Sequence, residues 1–237
     1  MSIILHGFLL SQPTYFVVRC GLGNYHFRHM IKALLLIFEP IEAWERVVRA
    51  QRSVTFILTA FLLPLLGLTS LAEGFGLVQW GRRQQDALHL KQFTTLEAAG
   101  FEIVQLLLSL GTVFLGAKIV KSLGETFHGN HNYTQVFTTV AYGLSPLFAM
   151  RLFDTFPGIG HWVTWTVGIL LSIAVLYQGL PRVMQPDPSH AFGLYLVSAI
   201  LLVFITGLAR FLTAWYLQGE FKSVEKIISD LVARMTS

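Results

Sequence analysis

Charge is what this sequence has least of. Only 13% of its 237 residues are Asp, Glu, Lys or Arg, about half of the roughly 25% that a water-solvated surface usually carries. With 54% hydrophobic residues and a mean hydropathy of +0.60, a soluble fold would expose apolar patches beyond what monomers tolerate. Part of the exterior must therefore face lipid. Cysteine is nearly absent as well. The single Cys20 excludes an internal disulfide framework and any cysteine-only metal site. There is no lysine- or arginine-rich run, and the formal charge of +4 is spread along the chain, which excludes a nucleic-acid tail. A zincin helix, a phosphate-binding glycine loop and a nucleophile elbow are all missing. The expectation is a non-enzymatic protein with no catalytic residues, no cofactor, no metal and no nucleic-acid partner.

What the chain does have is apolar sequence of membrane length. A helix needs about 20 apolar residues to cross a hydrocarbon core of about 30 Å, and only closed backbone hydrogen bonding survives there. Five stretches qualify, at 53–72, 102–123, 134–153, 162–180 and 191–217. The breaks hold Gly74, Gly76 and Gly81, then Gly129-Asn130, then Pro157-Gly158-Ile159-Gly160, then Pro181 onward to Pro188, which are turn-forming residues. The predicted fold is an all-α, polytopic membrane bundle whose first partner is the lipid bilayer. Residues 30–217 form its one domain. Residues 1–29 read as an upstream extension, because Met30 followed by Ile31-Lys32-Ala33-Leu34-Leu35-Leu36 reads like a natural start, and the opening apolar run, with no basic residue before it, does not resemble a secretory signal. Residues 218–237 form a short polar tail.

Ahead of the first span, Pro40 and the acids Glu39, Glu42 and Glu45 mark a helix start. Ile41, Trp44 and Val48 fall on one face, while Glu42 with Arg46 and Glu45 with Arg49 pair across a turn. This is the pattern of an amphipathic helix lying along the headgroups. Arg46, Arg49 and Arg52 crowd the entrance to the first span, and Lys118, Lys121 and Arg182 share that side, which argues that it is cytoplasmic. Arg82, Arg83 and Lys91 in the first opposite loop, with Lys222, Lys226 and Arg234 in the tail, pull the other way.

Small residues four apart let membrane helices approach closely. Ala141, Ser145 and Ala149 form such a line on the third span, and Thr164, Gly168 and Ser172 on the fourth, predicting that these two helices form the tight centre. Pro64 and Pro146 lie inside spans, and each leaves a carbonyl, on Ala60 or Tyr142, without its helical donor. The second break, Tyr142-Ser145-Pro146, reads as a packed kink or as a small polar site. Charges within spans are costly and often functional. The candidates are Glu97, Glu102, Arg151, Asp154 and Arg210, all close to predicted span ends, where long side chains can snorkel to water. Glu102, Arg151 and Asp154 make a candidate polar cluster, and Arg151 and Asp154 are spaced to pair on one helical face. Glu125, His128 and His131 are spaced by three, but Gly129-Asn130 interrupts the helix that would align them. These, and His26 and His29 near Cys20, read as surface residues.

The order of features is itself informative. Phe38-Glu39-Pro40 with Ala43-Trp44 precedes the five spans, Ala141-Tyr142-Gly143-Leu144-Ser145-Pro146 lies in the third, and Tyr177-Gln178-Gly179-Leu180-Pro181 ends the fourth. From Met30 to Leu217 this resembles the Yip family, the Ypt/Rab-interacting membrane proteins, and in particular its short bacterial branch. The resemblance implies five helices, a cytosolic N-terminus in a bacterial inner membrane, an opposite-side C-terminus and no enzymatic activity. It marks Pro40, Trp44, Tyr142, Ser145, Pro146, Gly179 and Pro181 as motif residues. The chain lacks the long acidic N-terminal region of the eukaryotic relatives, which argues against Rab-type GTPase binding. The functional expectation is a membrane organiser or adaptor that contacts other membrane proteins or itself. The alternative is a small transporter or channel using the proline-broken third helix.

Overall fold

The computed structural model describes residues 40–83, 90–127, 132–187 and 189–217. The proposed extension 1–29, the tail 218–237, and His26, His29, Cys20, His128 and His131 lie outside the described residues. Among the described residues, five helices are long and apolar enough to cross a membrane: span 1 (Val54–Gln79), span 2 (Thr95–Thr126), span 3 (Tyr133–Thr155), span 4 (His161–Met184) and span 5 (Ala191–Leu217). Helix α1 (Pro40–Ala50) precedes them. Strand β1 (Arg82–Arg83) pairs antiparallel with β2 (Leu90–Lys91) in a minimal hairpin between spans 1 and 2.

Burial assigns the layers. Span 3 has 78% of its most apolar window buried within the bundle, against 28% for span 5. Span 3 is the hub and span 5 a lipid-facing wall. Spans 3 and 4 pack closely, with the small-residue line of span 4 seated on Leu147 of span 3. A Cβ on Gly168 would stand 2.9 Å from the Leu147 Cα, closer than side chains come, and the Ser172 hydroxyl accepts from the Leu147 N–H at 3.2 Å.

Helix ends depart from the sequence reading in three places. Span 1 continues past residue 72 to Gln79, so Gly74 and Gly76 are helical rather than turn residues. Gly76 serves close packing: a Cβ there would collide with the Thr155 carbonyl. Span 2 begins at Thr95 behind a capping box in which Thr94 and Glu97 bond reciprocally. Glu97 is thus a cap and not an in-span charge. Span 4 runs through Pro181 to Met184 and ends where Gln185 takes a left-handed φ of 43°. Proline costs one backbone donor and fits helical φ, so a single Pro need not end a helix held by neighbours.

The other two prolines are accommodated locally. Ahead of Pro64 the backbone widens into a π segment (Leu58–Leu62), with Leu63 N–H bonded to Leu58 O, a common device at helix irregularities. At Pro146 the freed Tyr142 carbonyl accepts the Ser145 hydroxyl at 2.6 Å. Tyr142 itself stacks on Phe61 with ring centroids 4.4 Å apart. The Tyr142-Ser145-Pro146 break is therefore a packed kink, with the serine hydroxyl bonded within its own helix.

Helix α1 docks through its tryptophan. Trp44 is completely buried, and its indole N–H donates to the Val175 carbonyl of span 4 at 3.2 Å. A Cβ at Gly179 would overlap the indole ring, so the missing side chain makes the seat for Trp44. Away from that contact Arg49 pairs with Glu45 at 3.1 Å on an exposed face, as an interfacial helix requires.

Candidate functional site

At the other end of the bundle every span delivers a charged or polar side chain to one place. Glu73 comes from span 1, Glu102 and Gln105 from span 2, and Arg151 and Asp154 from span 3. His161 and Thr164 come from span 4, Arg210 from span 5, and Arg82 from β1. The alternation of direction puts the end of spans 1, 3 and 5 beside the start of spans 2 and 4, which is why residues far apart in sequence share this level. At 1.5 Å per residue, Glu73 and Glu102 stand about 10 Å in from the ends of their helices.

Two linked halves make up the site. In the first, Arg151 serves two carboxylates, donating from Nη2 to Glu73 at 3.1 Å and to Glu102 at 3.2 Å. Gln105 Nε2 adds a 2.7 Å bond to the same Glu73 oxygen. In the second, Asp154 is the acceptor at the centre. Arg210 Nη2 reaches its Oδ2 at 2.5 Å, Thr164 donates to its Oδ1 at 2.6 Å, and Arg82 lies 3.8 Å from that oxygen. Arg82 also bonds the Asp154 backbone carbonyl.

His161 ties the second half to span 4. Its Nδ1 lies 2.7 Å from Arg82 Nη2, and a guanidinium can only donate, so that nitrogen accepts and the ring proton sits on Nε2. Its backbone carbonyl takes Arg210 Nη2 at 2.9 Å. Burial pushes the Arg82 guanidinium below its ordinary value, and the Asp154 and Glu73 carboxylates act against that shift.

The structure corrects the sequence reading here. Arg151 and Asp154 do not pair with each other. Arg151 turns to spans 1 and 2, and Asp154 to span 5 and the hairpin. Arg151 and Arg210 do not snorkel either; both are buried, because carboxylates at their own depth offer a better partner than a long reach to water. Of the candidate cluster, Glu102 meets Arg151 directly, and Asp154 joins through the second half. The motif residues Trp44 and Gly179 form a contact at the opposite end, while Tyr142, Ser145 and Pro146 lie in the apolar core between.

Glu73, Arg82, His161 and Gln105 were not among the candidates. Glu73 lies just beyond the predicted end of span 1, Arg82 reads from the sequence as a loop charge, and His161 opens span 4 at a proline-glycine break. The available signal is that each span carries at least one ionisable residue at the same level.

Glu73, Asp154 and His161 hold potential ligand atoms within 4.8 Å of one another, a spacing that could embrace a cation. However, Asp154 already receives Arg210, Thr164 and Arg82, and Glu73 Oε2 receives Arg151 and Gln105. A cation would have to displace guanidiniums. Among the described residues, Glu73 Oε1, Glu102 Oε1, Arg151 Nη1 and His161 Nε2 are left without a partner. A cavity of about 50 Å³, bordered by Gln105, Arg151, Thr164, Trp165 and Arg210, adjoins the network and is large enough for ordered water.

Five membrane-length helices clasped at one end by a buried ion network, with an amphipathic helix docked at the other, define a multi-pass integral membrane protein. A family model for the Yip1 domain matches residues 34–211, most of the chain, and the chain belongs to that family. Searches of curated proteins and of solved structures return no match.

Proposed function

We propose that this Yip1-domain chain is a non-enzymatic organiser of other membrane components, acting as a rigid body against which they pack. The observation that carries the reading is the spending of the buried charges on one another. Three guanidiniums and three carboxylates join spans 1, 2, 3 and 5 and the hairpin, Thr164 and His161 add span 4, and the interior beyond them is filled by the apolar core around Trp44, Phe61, Phe137 and Leu176. Such an arrangement favours rigidity over a route for solute. Burial of Arg82 also removes one cation from the opposite-side tally, which supports a cytoplasmic N-terminus.

Crosslinking in the native membrane, followed by identification of captured species, tests the organiser role. Enriched membrane partners or a self-complex are expected; a protein that runs alone overturns it. Transport is the second reading, favoured by the small cavity beside Arg151, which Gln105, Thr164 and Arg210 also border. A liposome flux assay separates the two: flux in the wild type that is lost in Thr206→Val, a substitution in the cavity lining, would replace the organiser reading.

A further inference from the structure

The outer surface of spans 1 and 2 carries a groove of about 540 Å³, within the range of sites that hold small ligands. Its walls are apolar and its mouth opens between Leu71, Phe75 and Ile103, all strongly exposed, so hydrocarbon faces it. Small residues create the space. Nothing lies within 4 Å of a Cβ placed on Gly67, and a Cβ on Gly74 would meet Glu102 Cγ at 3.3 Å. Among the described residues, Glu102 is the one charged residue lining this groove. More than nine-tenths of it is buried, and its Oε1 has no hydrogen-bond partner among the described residues.

Charge is unevenly divided across the network. On the groove side two carboxylates, Glu73 and Glu102, share the single guanidinium of Arg151. On the far side Asp154 alone faces two guanidiniums, Arg82 and Arg210. The carboxylate-rich half is the one that borders the groove. Depth agrees with a headgroup ligand. Span 2, with 32 residues, is about 48 Å long against a hydrocarbon core of about 30 Å. A residue about 10 Å in from its end, as Glu102 is, therefore stands near the boundary between hydrocarbon and headgroups.

We propose that the groove between spans 1 and 2 binds a membrane lipid with a primary-ammonium headgroup, its acyl chain along Gly67 and Gly74 and its N–H donors at Glu102. An anionic lipid would meet an excess of negative charge there, and a quaternary ammonium would bring charge without a donor for Oε1. The inference holds whether the bundle organises partners or moves a solute.

The test is native mass spectrometry of the full chain released from micelles. Phosphatidylethanolamine, phosphatidylcholine and phosphatidylglycerol of identical acyl chains are titrated in turn. Retention of the primary amine about tenfold above the other two is expected, in line with a hydrogen bond to a charged group. Glu102→Gln should abolish the preference. Gly67→Leu, which enters open space and improves helix propensity, should reduce retention of every lipid while the chain stays folded. Equal retention of the three lipids, a preference unchanged in Glu102→Gln, retention unchanged in Gly67→Leu, or a groove crosslinked to a second copy of the chain would each overturn the proposal.

Discussion

Trp44 and Arg151 stand at opposite ends of the same bundle, and both are buried, yet they hold it together by different physics. The Trp44 end depends on shape. An indole fills the space where Gly179 has no side chain, with one hydrogen bond to a helix carbonyl. The Arg151 end depends on charge, each group being tolerable in a low-dielectric interior only because its partner is there. Loss of a shape contact leaves a void, whose cost is bounded by how far neighbours relax. Loss of one partner in the network strands the others, and nothing nearby can replace it.

The comparison is sharpest in its most damaging substitution. Arg151→Ala leaves Glu73 and Glu102 facing each other, and stability in detergent should fall by about 3–5 kcal/mol, as when a buried pair loses one member. Thermal unfolding measures this, and neutralising both acids as Glu73→Gln and Glu102→Gln should recover most of the loss. If the triple variant is no better than Arg151→Ala alone, charge is not what holds this end. Trp44→Ala should cost about 3 kcal/mol through the cavity it opens. Unlike the first change, it should detach α1 and raise proteolysis near Gln51 without loosening the far end.

Gly179→Ala attacks the same seat from the other side. Overpacking against the indole should cost about 2 kcal/mol, and combining it with Trp44→Ala should be less than additive because the two residues touch. A fully additive result would separate the pair and undo the account of α1 docking. The smallest effect belongs between the two ends. Ser145→Ala removes one hydrogen bond to Tyr142 O, worth about 1 kcal/mol, and a shift of that size in the unfolding midpoint is expected with no change in either terminal contact.

Legibility in the sequence followed the range of each interaction. The small-residue lines around Ser145 and Gly168 could be read because they repeat within single helices, and periodicity reports on one helix at a time. Trp44 and Gly179 are visible as family motif residues, but not as partners, since Trp44 and the Val175 it bonds are 131 positions apart. Span 1 was cut short at residue 72 because Gly74 and Gly76 carry the composition of a turn. That error put Glu73 outside the membrane and hid the first carboxylate of the network. Arg151 and Asp154 were paired by their three-residue spacing, where tertiary partners at 78, 49 and 56 residues' distance prevail.

The sequence by itself determined that most of this chain is solvated by hydrocarbon, and hence that it forms helices. Too little charge to meet water, and five runs of membrane length, admit no other solution. Which charges neutralise which was decided only in three dimensions. Antiparallel packing brings the ends of spans 1, 3 and 5 level with the starts of spans 2 and 4, and no periodicity along one helix encodes that level. A buried carboxylate selects its guanidinium by distance in space, and the fold is what sets that distance.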